Sequence, residues 1–236
     1  MKSGVIILPR IGVVIPTRNE EIEEVKSLVR SLRRVIKEPY IFFIDDSNPI
    51  YHEKMRDLVS KMKNVYLLWH EDILGYGKAL KYGLAHAVFT FDCDYVLEMD
   101  VDHPVEPIPL FFTKLLKDKC DFVVGYEETN IHRRVTRFLF RLLRLGFKLK
   151  HPTCGFVLWR GEVLRYIPWE RVKSKRDAVH IELLYWAWKR GFRRVGEVHF
   201  TGHKGERRYS FRRCLSWLIS WFRVFRLRYF WNWREF

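Results

Sequence analysis

Acidic residues are in short supply. The 236-residue chain carries 28 Asp and Glu against 43 Lys and Arg, a formal charge of +15. Such a balance asks for an anionic partner: nucleic acid, a phosphorylated substrate or an anionic lipid surface. Cysteine is scarce too. Cys93, Cys120, Cys154 and Cys214 stand far apart, with no CxxC pair and no zinc-ligand spacing. They read as reduced thiols of a cytosolic protein, which removes a disulfide framework and a zinc site. No apolar run is long and uncharged enough to cross a bilayer. The N-terminal stretch, broken by Pro9 and Arg10, does not read as a signal peptide. Internal repeats, low-complexity tracts and flexible linkers are missing, and so is a complete GxxxxGK[ST] phosphate loop.

What is present alternates. Residues 11–15 form a short apolar run closed by Pro16, and residues 20–36 place Ile22, Val25, Leu28, Val29, Leu32 and Val35 at helical spacing. Strands follow at 40–44, 65–69, 95–99 and 121–125, separated by helices over about 51–62, 75–88 and 107–117. Strands alternating with helical crossovers predict an α/β fold with a mostly parallel sheet. In the second half, residues 131–150 read as a basic amphipathic helix, followed by a turn at 151–156, a strand at 157–159, a helix at 177–190 and a strand at 195–200. The last segment, 210–236, is dense in arginine and tryptophan. A helical wheel puts Arg212, Arg213, Ser216, Ser220 and Arg223 on one side and Leu218, Trp221, Phe222 and Phe225 on the other.

Asp100 and Asp102 end the apolar run 95–99. Strand alternation sends both carboxylates to one face, where they repel unless a cation lies between them. Hard oxygen donors of this kind suit Mg²⁺ or Mn²⁺ shared with substrate phosphates. Open α/β sheets bind ligands at the carboxyl ends of their strands, which is where this pair stands. His103 adjoins the pair and could complete a metal shell, although a lone histidine is more often a hydrogen-bonded structural residue. Asp45 and Asp46 end the second strand on the same edge; they suit a nucleoside's N–H and hydroxyl groups, although a turn or helix cap explains Asp46 and Ser47 equally well. Gly75-Tyr76-Gly77-Lys78 reads as a turn into a helix whose N-terminus and Lys78 face an anion. His203, Lys204, Arg207 and Arg208 make a glycine-flanked cationic loop able to close over a diphosphate. Glu182 is a candidate to orient an acceptor or act as a base.

In this order the segments resemble family 2 glycosyltransferases of the GT-A fold, most closely the dolichol-phosphate (polyprenyl-phosphate) mannose synthase-like branch. The resemblance rests on residues 13–20 (VVIPTRNE), 44–49 (IDDSNP), 75–83, 99–109 (MDVDHPVEPIP) and 153–156 (TCGF), with Glu182 and the basic loop after Phe200. It implies that Pro16, Arg18, Glu20, Asp45, Asp46, Lys78 and Asp100 hold the nucleotide sugar. It implies also that Asp100, Asp102 and His103 hold the metal, and that His203, Lys204, Arg207 and Arg208 bind phosphate or acceptor. Asp102, Glu182 and Arg207 would serve catalysis. The chain departs from the family at Arg18, where tyrosine is common, at His103, which directly follows Asp102 in a loop two residues shorter, and at His151, where the family has aspartate.

The expected function is a metal-dependent, inverting transfer of mannose or glucose from a nucleotide diphosphosugar, GDP-mannose being favoured and a UDP-sugar an alternative. The acceptor would be a polyprenyl phosphate or another lipid. Residues 1–209 would form the catalytic domain, and 210–236 a helix lying on an anionic membrane surface at the cytosolic face of the cell membrane. Two other readings share the sheet-edge chemistry: transfer to a sugar hydroxyl of a glycolipid or polysaccharide, with Glu182 as base, and nucleotidyl transfer. A basic nucleic-acid-binding protein is the alternative of another class; it leaves the acidic strand ends without a role, so no nucleic acid is expected.

Overall fold

The computed structural model of the chain describes residues 9–69, 75–127, 131–174, 179–201 and 211–229. Seven strands form one sheet: β1 (Ile11–Thr17), β2 (Tyr40–Asp45), β3 (Val65–Trp69), β4 (Tyr95–Glu98), β5 (Phe122–Tyr126), β6 (Val157–Arg160) and β7 (Val195–His199). Their order is β3-β2-β1-β4-β6-β5-β7, and every pairing is parallel except those of β6, which runs antiparallel to both β4 and β5. The sheet is therefore mostly parallel, as expected. Helices α1 (Ile22–Val35), α2 (Pro49–Ser60), α3 (Tyr76–Phe89) and α4 (Ile108–Lys117) cross between strands. The remaining helices are α5 (Ile131–Leu142), the short α6 (Gly161–Arg165), α7 (Val179–Lys189) and α8 (Phe211–Tyr229).

The central strands carry continuous apolar runs, as strands buried on both faces do. Val13, Val14 and Ile15 of β1, Ile41, Phe42 and Phe43 of β2 and Val96 and Leu97 of β4 are wholly buried. Gly83 lets α3 lie close against this layer: a Cβ there would sit 2.6 Å from Val14 and 2.7 Å from Ile44. On α1 the apolar stripe that its spacing predicted is the buried one, with Val25, Leu28, Val29 and Leu32 facing the core.

Helix α5 ends earlier than its composition suggests. Residues 143–150 are not helical; Arg144 and Gly146 both take positive φ, at 49° and 79°. From Leu143 to Lys150 burial alternates strictly, with Leu143, Leu145, Phe147 and Leu149 inside and Arg144, Gly146, Lys148 and Lys150 exposed. The segment has the period of an extended chain, which overrides the helical reading of 131–150.

Helix α8 lies on the rest of the chain through Trp221 and Val224, both buried. The Trp221 indole N–H donates to the Leu139 carbonyl at 2.7 Å and the Tyr229 hydroxyl to the Leu142 carbonyl at 3.0 Å, which places α8 beside α5. Trp221 and Phe222, grouped together on the helical wheel, thus part company: Phe222 is exposed. The side chains of Arg212, Arg213, Ser216 and Ser220 lie outside the described residues.

Candidate active site

The strand order puts the carboxyl ends of β2, β1 and β4 side by side, so the three loops leaving them converge. Thr17 pairs with Asp45 in the β1–β2 register, and the Asp46 amide donates to the Thr17 carbonyl at 2.9 Å. Side chains then stitch the first two loops together. The Asn19 amide donates to Ser47 Oγ at 2.7 Å, and the Asn48 amide to Asn19 Oδ1 at 3.1 Å. Asn19 takes a positive φ of 58°, a conformation that asparagine tolerates better than most residues. Asn48 also caps α2, accepting from the Tyr51 amide at 3.2 Å, with Pro49 at the first helical position. The cap is Asn48, not Asp46 or Ser47.

The converging loops enclose a cleft of about 760 Å³. Pro16, Arg18, Glu20, Asp46, Asp100, Asp102 and His103, all candidates from the sequence, line it, together with Tyr76 of α3 and Ser27 and Ser31 of α1. Among the described lining residues Arg18 is the only Lys or Arg, against the carboxylates of Glu20, Glu24, Asp46, Asp100, Asp102 and Glu106. In a chain of net charge +15 this is an acidic hollow. An anionic nucleotide enters such a hollow only with cations beside it. Thr17 lines the cleft too, and its Oγ1 is buried without a hydrogen-bond partner among the described residues.

The two acids of the DxD sequence meet by a different route from strand alternation. Strand β4 stops at Glu98, and residues 101–102 form a turn. The His103 amide donates to the Asp100 carbonyl at 3.2 Å, and the Asp100 amide donates to His103 Nδ1 at 2.8 Å. The turn, not the pleat, folds Asp102 back toward Asp100. Ligand atoms of Asp100, Asp102 and His103 lie within 4.8 Å of one another, and the two carboxylates fit a hard divalent ion.

His103 is another matter. An amide N–H can only donate, so Nδ1 is the accepting nitrogen and the neutral ring carries its proton on Nε2. The ring is buried, stacked on Phe156 with centroids 4.9 Å apart and edge-on to Phe200 at 5.5 Å. His103 thus helps to hold the turn and also stands with Asp100 and Asp102 in the group whose ligand atoms could take an ion.

Glu20 reports the charge of the hollow. Its pKa is raised above the usual carboxylate value, first by burial and then by the negative charges of Asp102, Glu24 and Asp100, against a hydrogen bond from the Arg18 backbone that lowers it. A raised carboxyl pKa means that ionising Glu20 costs more in the folded chain than in the unfolded one. The cost is absent at low pH, begins as pH rises past the unfolded value of 4.5 and is complete above the raised folded value. Glu20→Gln should therefore raise Tm at pH 7 in EDTA, and the gain should disappear as pH falls below about 4.5. Thermal unfolding from pH 4 to 8 checks this; an unchanged Tm at pH 7 contradicts it.

Several expected site residues stand elsewhere. Asp45 is buried, and its carboxylate accepts from the Ser47 amide at 3.1 Å and contacts His52 Nδ1 at 2.9 Å. It shapes the β2–α2 turn and does not line the cleft. Lys78 is exposed and also outside the lining. The N-terminus of α3 has a carboxylate of its own, since the Gly75 amide donates to Asp46 Oδ2 at 2.9 Å. Gly75 adopts φ 74°, as a glycine can at little cost.

Glu182 is the largest correction. It is completely buried and absent from the cleft lining. Its Oε2 accepts from the Lys173 and Ser174 amides at 3.0 and 2.8 Å, and its Oε1 lies 3.5 Å from Arg223 Nε. Oε1 makes no hydrogen bond among the described residues, and the carboxylate has no exposed surface. His203, Lys204, Arg207 and Arg208 lie outside the described residues.

Beneath the DxD turn is a buried polar group that belongs to no sequence motif. Glu98, fully buried at the end of β4, accepts from the Trp159 indole at 3.2 Å and pairs with His180 Nε2. A Cβ on Gly155 would lie 2.8 Å from the Tyr76 hydroxyl, 3.6 Å from Asp100 Oδ2 and 3.7 Å from His180 Nε2, so Gly155 sits where these three converge. A glutamate inside an otherwise apolar buried strand was the available signal, because such a residue is rarely buried without a partner.

Sheet order, the reversed β6 and a cleft at the carboxyl ends of β1, β2 and β4 define a protein of the GT-A fold. The chain belongs to Glycosyl transferase family 2, whose family model matches residues 12–158. A probable glycosyltransferase of Sulfolobus acidocaldarius is 32% identical over 125 residues, 50% of this chain; the chain spans only 26% of that longer protein. An undecaprenyl-phosphate mannosyltransferase of Micrococcus luteus is 24% identical over 210 residues, covering 81% of this chain and 83% of the relative. Among solved structures, glucosyl-3-phosphoglycerate synthase from Mycobacterium tuberculosis, in complex with Mn²⁺, UDP-glucose and glycerol 3-phosphate, superposes with a TM-score of 0.70. At 19% identity, over 93% of this chain and 80% of that one, the likeness is one of fold.

Proposed function

We propose that the protein transfers a hexose from a nucleotide diphosphosugar to a polyprenyl-phosphate acceptor at a membrane surface. One observation carries the donor half of this reading: the cleft gathers Pro16–Glu20, Asp46 and the Asp100–Asp102 turn from three strand ends into a single acidic hollow. Asp100 and Asp102 would hold Mg²⁺ or Mn²⁺, which when bound supplies positive charge to the leaving diphosphate. Arg18, the cation of the lining, adds to that charge. Asp46 and the buried Thr17 hydroxyl offer hydrogen bonds to the nucleoside.

The acceptor half draws on chemistry and on the mannosyltransferase relative. A phosphate oxygen attacks the anomeric carbon, forming a C–O bond as the bond to the donor diphosphate breaks and its electron pair departs with the nucleoside diphosphate. The configuration inverts. A lipid monophosphate, with its second pKa near about 6, is largely dianionic at neutral pH and needs no general base. The engagement of Glu182 favours this acceptor over a sugar hydroxyl, which would need one.

A membrane location is supported by the paired helices α5 and α8. Phe138 and Leu142 on one, and Ile219 and Phe222 on the other, are exposed, and Arg141, Arg144 and Arg226 are exposed nearby along the chain. Exposed apolar residues with arginines around them suit an anionic phospholipid interface. Among the described residues no helix is long and apolar enough to cross a membrane.

The test uses radiolabelled GDP-mannose and UDP-glucose with Mn²⁺ and phosphatidylglycerol-containing vesicles that carry undecaprenyl phosphate. Label from one donor should move into the organic phase with equimolar release of nucleoside diphosphate. Donor turnover with no lipid-extractable product would overturn the proposed acceptor.

A further inference from the structure

The buried carboxylate of Glu182 stands at a junction. Its Oε2 fixes the backbone of Lys173 and Ser174, and its Oε1 pairs with Arg223 of α8. The same segment is held from the other side, where Lys81 Nζ on α3 donates to the Val172 carbonyl at 3.3 Å. Two residues before Glu182, in the first turn of α7, His180 pairs with Glu98 beneath the DxD turn. Contacts therefore run from α8 through Glu182 to segment 172–174, and from the first turn of α7 to the floor of the cleft.

Burial makes Arg223 matter to this arrangement. Glu182 has no exposed side-chain surface, whereas 40% of the Arg223 side chain is exposed. A buried carboxylate without a counter-charge is costly, and Arg223 is the one Lys or Arg side chain within ion-pair distance of Glu182 among the described residues. Arg223 also stands between the two environments of its helix. Trp221 and Val224 are buried against the protein, while Ile219 and Phe222 are exposed. Any force that draws the apolar residues toward a surface acts on the same helical turn that supplies the counter-charge.

We propose that Arg223 is a positioning residue: by pairing with Glu182 it couples the seating of α8 on a lipid surface to the order of segment 172–174 and the start of α7. This rests on the membrane reading above for what α8 meets. The link from Arg223 to segment 172–174 stands without it. Contact with anionic lipid fixes α8, α8 holds Arg223 against Glu182, and Glu182 holds the backbone at Lys173 and Ser174. Segment 172–174 and the start of α7 are then ordered where a lipid acceptor is found, and less so elsewhere.

The test compares the full chain with Arg223→Gln, Arg223→Lys and Glu182→Gln. Amide hydrogen exchange over 172–182 is read in solution and on phosphatidylglycerol-phosphatidylcholine vesicles, alongside vesicle co-sedimentation and nucleotide affinity. Arg223→Gln should speed exchange over 172–174 about tenfold, the loss expected when a buried carboxylate loses a half-exposed partner. Arg223→Lys should restore most of the protection, and nucleotide affinity should not move. On vesicles the wild type should gain protection over 172–182, and Arg223→Gln should bind the vesicles equally without that gain. In the transfer assay Arg223→Gln should lower kcat while leaving the donor KM unchanged.

If Arg223→Gln exchanges like the wild type in solution, the link is overturned whatever the membrane does. If the link holds but wild-type protein ignores vesicles, the membrane reading fails and with it the coupling. Equal protection of the two proteins on vesicles also overturns the coupling.

Discussion

Asp102→Asn should weaken divalent-ion-dependent binding of the donor nucleotide by at least about 100-fold, the scale of a lost metal-phosphate interaction worth several kcal/mol. The reason lies in the charge of the cleft. Glu20, Glu24, Asp46, Asp100, Asp102 and Glu106 face a hollow in which Arg18 is the only described Lys or Arg. Without a bound cation the diphosphate meets mostly like charge. Asparagine keeps the size of Asp102 and its place in the turn but removes half of the carboxylate pair, so the ion loses affinity and the nucleotide loses its counter-charge. Isothermal titration of GDP, GDP-mannose, UDP and UDP-glucose with Mn²⁺ and with EDTA would measure this and also identify the base. Wild type should bind one nucleotide family with Mn²⁺ and lose it in EDTA. Equal affinity of wild type and Asp102→Asn for that nucleotide in Mn²⁺ would remove the DxD turn from donor binding.

His180→Leu should cost about 3–5 kcal/mol of stability, the range for breaking a buried pair by deleting one partner. Glu98 is fully buried on β4, and its described partners are His180 and the Trp159 indole. Leucine fills much of the histidine volume but leaves Glu98 Oε1 facing apolar neighbours. Glu98→Gln should cost less, since the amide still accepts from Trp159 and still meets His180. Urea denaturation midpoints at pH 7.5 would rank the two. The same variant tests the floor of the donor site, because Gly155 sits where Asp100, His180 and Tyr76 converge. A loss below about 1 kcal/mol for His180→Leu would show that the pair is not an important support of the site.

Local patterns carried the elements that have one clear period. The α1 stripe at Val25, Leu28, Val29 and Leu32 has helical spacing and is buried as that spacing requires. The apolar runs of β1 and β2 are buried on both faces, as parallel strands between helices must be. Residues 143–150 have the leucines and basic residues of an amphipathic helix but alternate strictly, Leu-Arg-Leu-Gly-Phe-Lys-Leu-Lys, with a period of two and not 3.6. That period, and not the composition, is what ends α5 at Leu142.

The site divides along the same line. Residue types and their order at the ends of β1, β2 and β4 were enough to bring Pro16, Arg18, Glu20, Asp46, Asp100, Asp102 and His103 into one cleft, because a parallel sheet delivers its carboxyl ends to a common edge. What each side chain does there depends on partners far away in the chain, and no local pattern records those. Asp45 is taken by His52 and the Ser47 amide, the Gly75 amide by Asp46, and Glu182 by the 173–174 backbone and Arg223. His103 accepts a hydrogen bond from the Asp100 amide, a contact that only the folded turn makes. The sequence by itself determined the α/β class, the edge of the sheet that carries the chemistry and the acids that gather there, since these follow from periodicity and strand polarity. Tertiary structure alone decided which acids remain open to a ligand and which are consumed in holding the frame, because a buried carboxylate is defined by the donors that reach it across the fold.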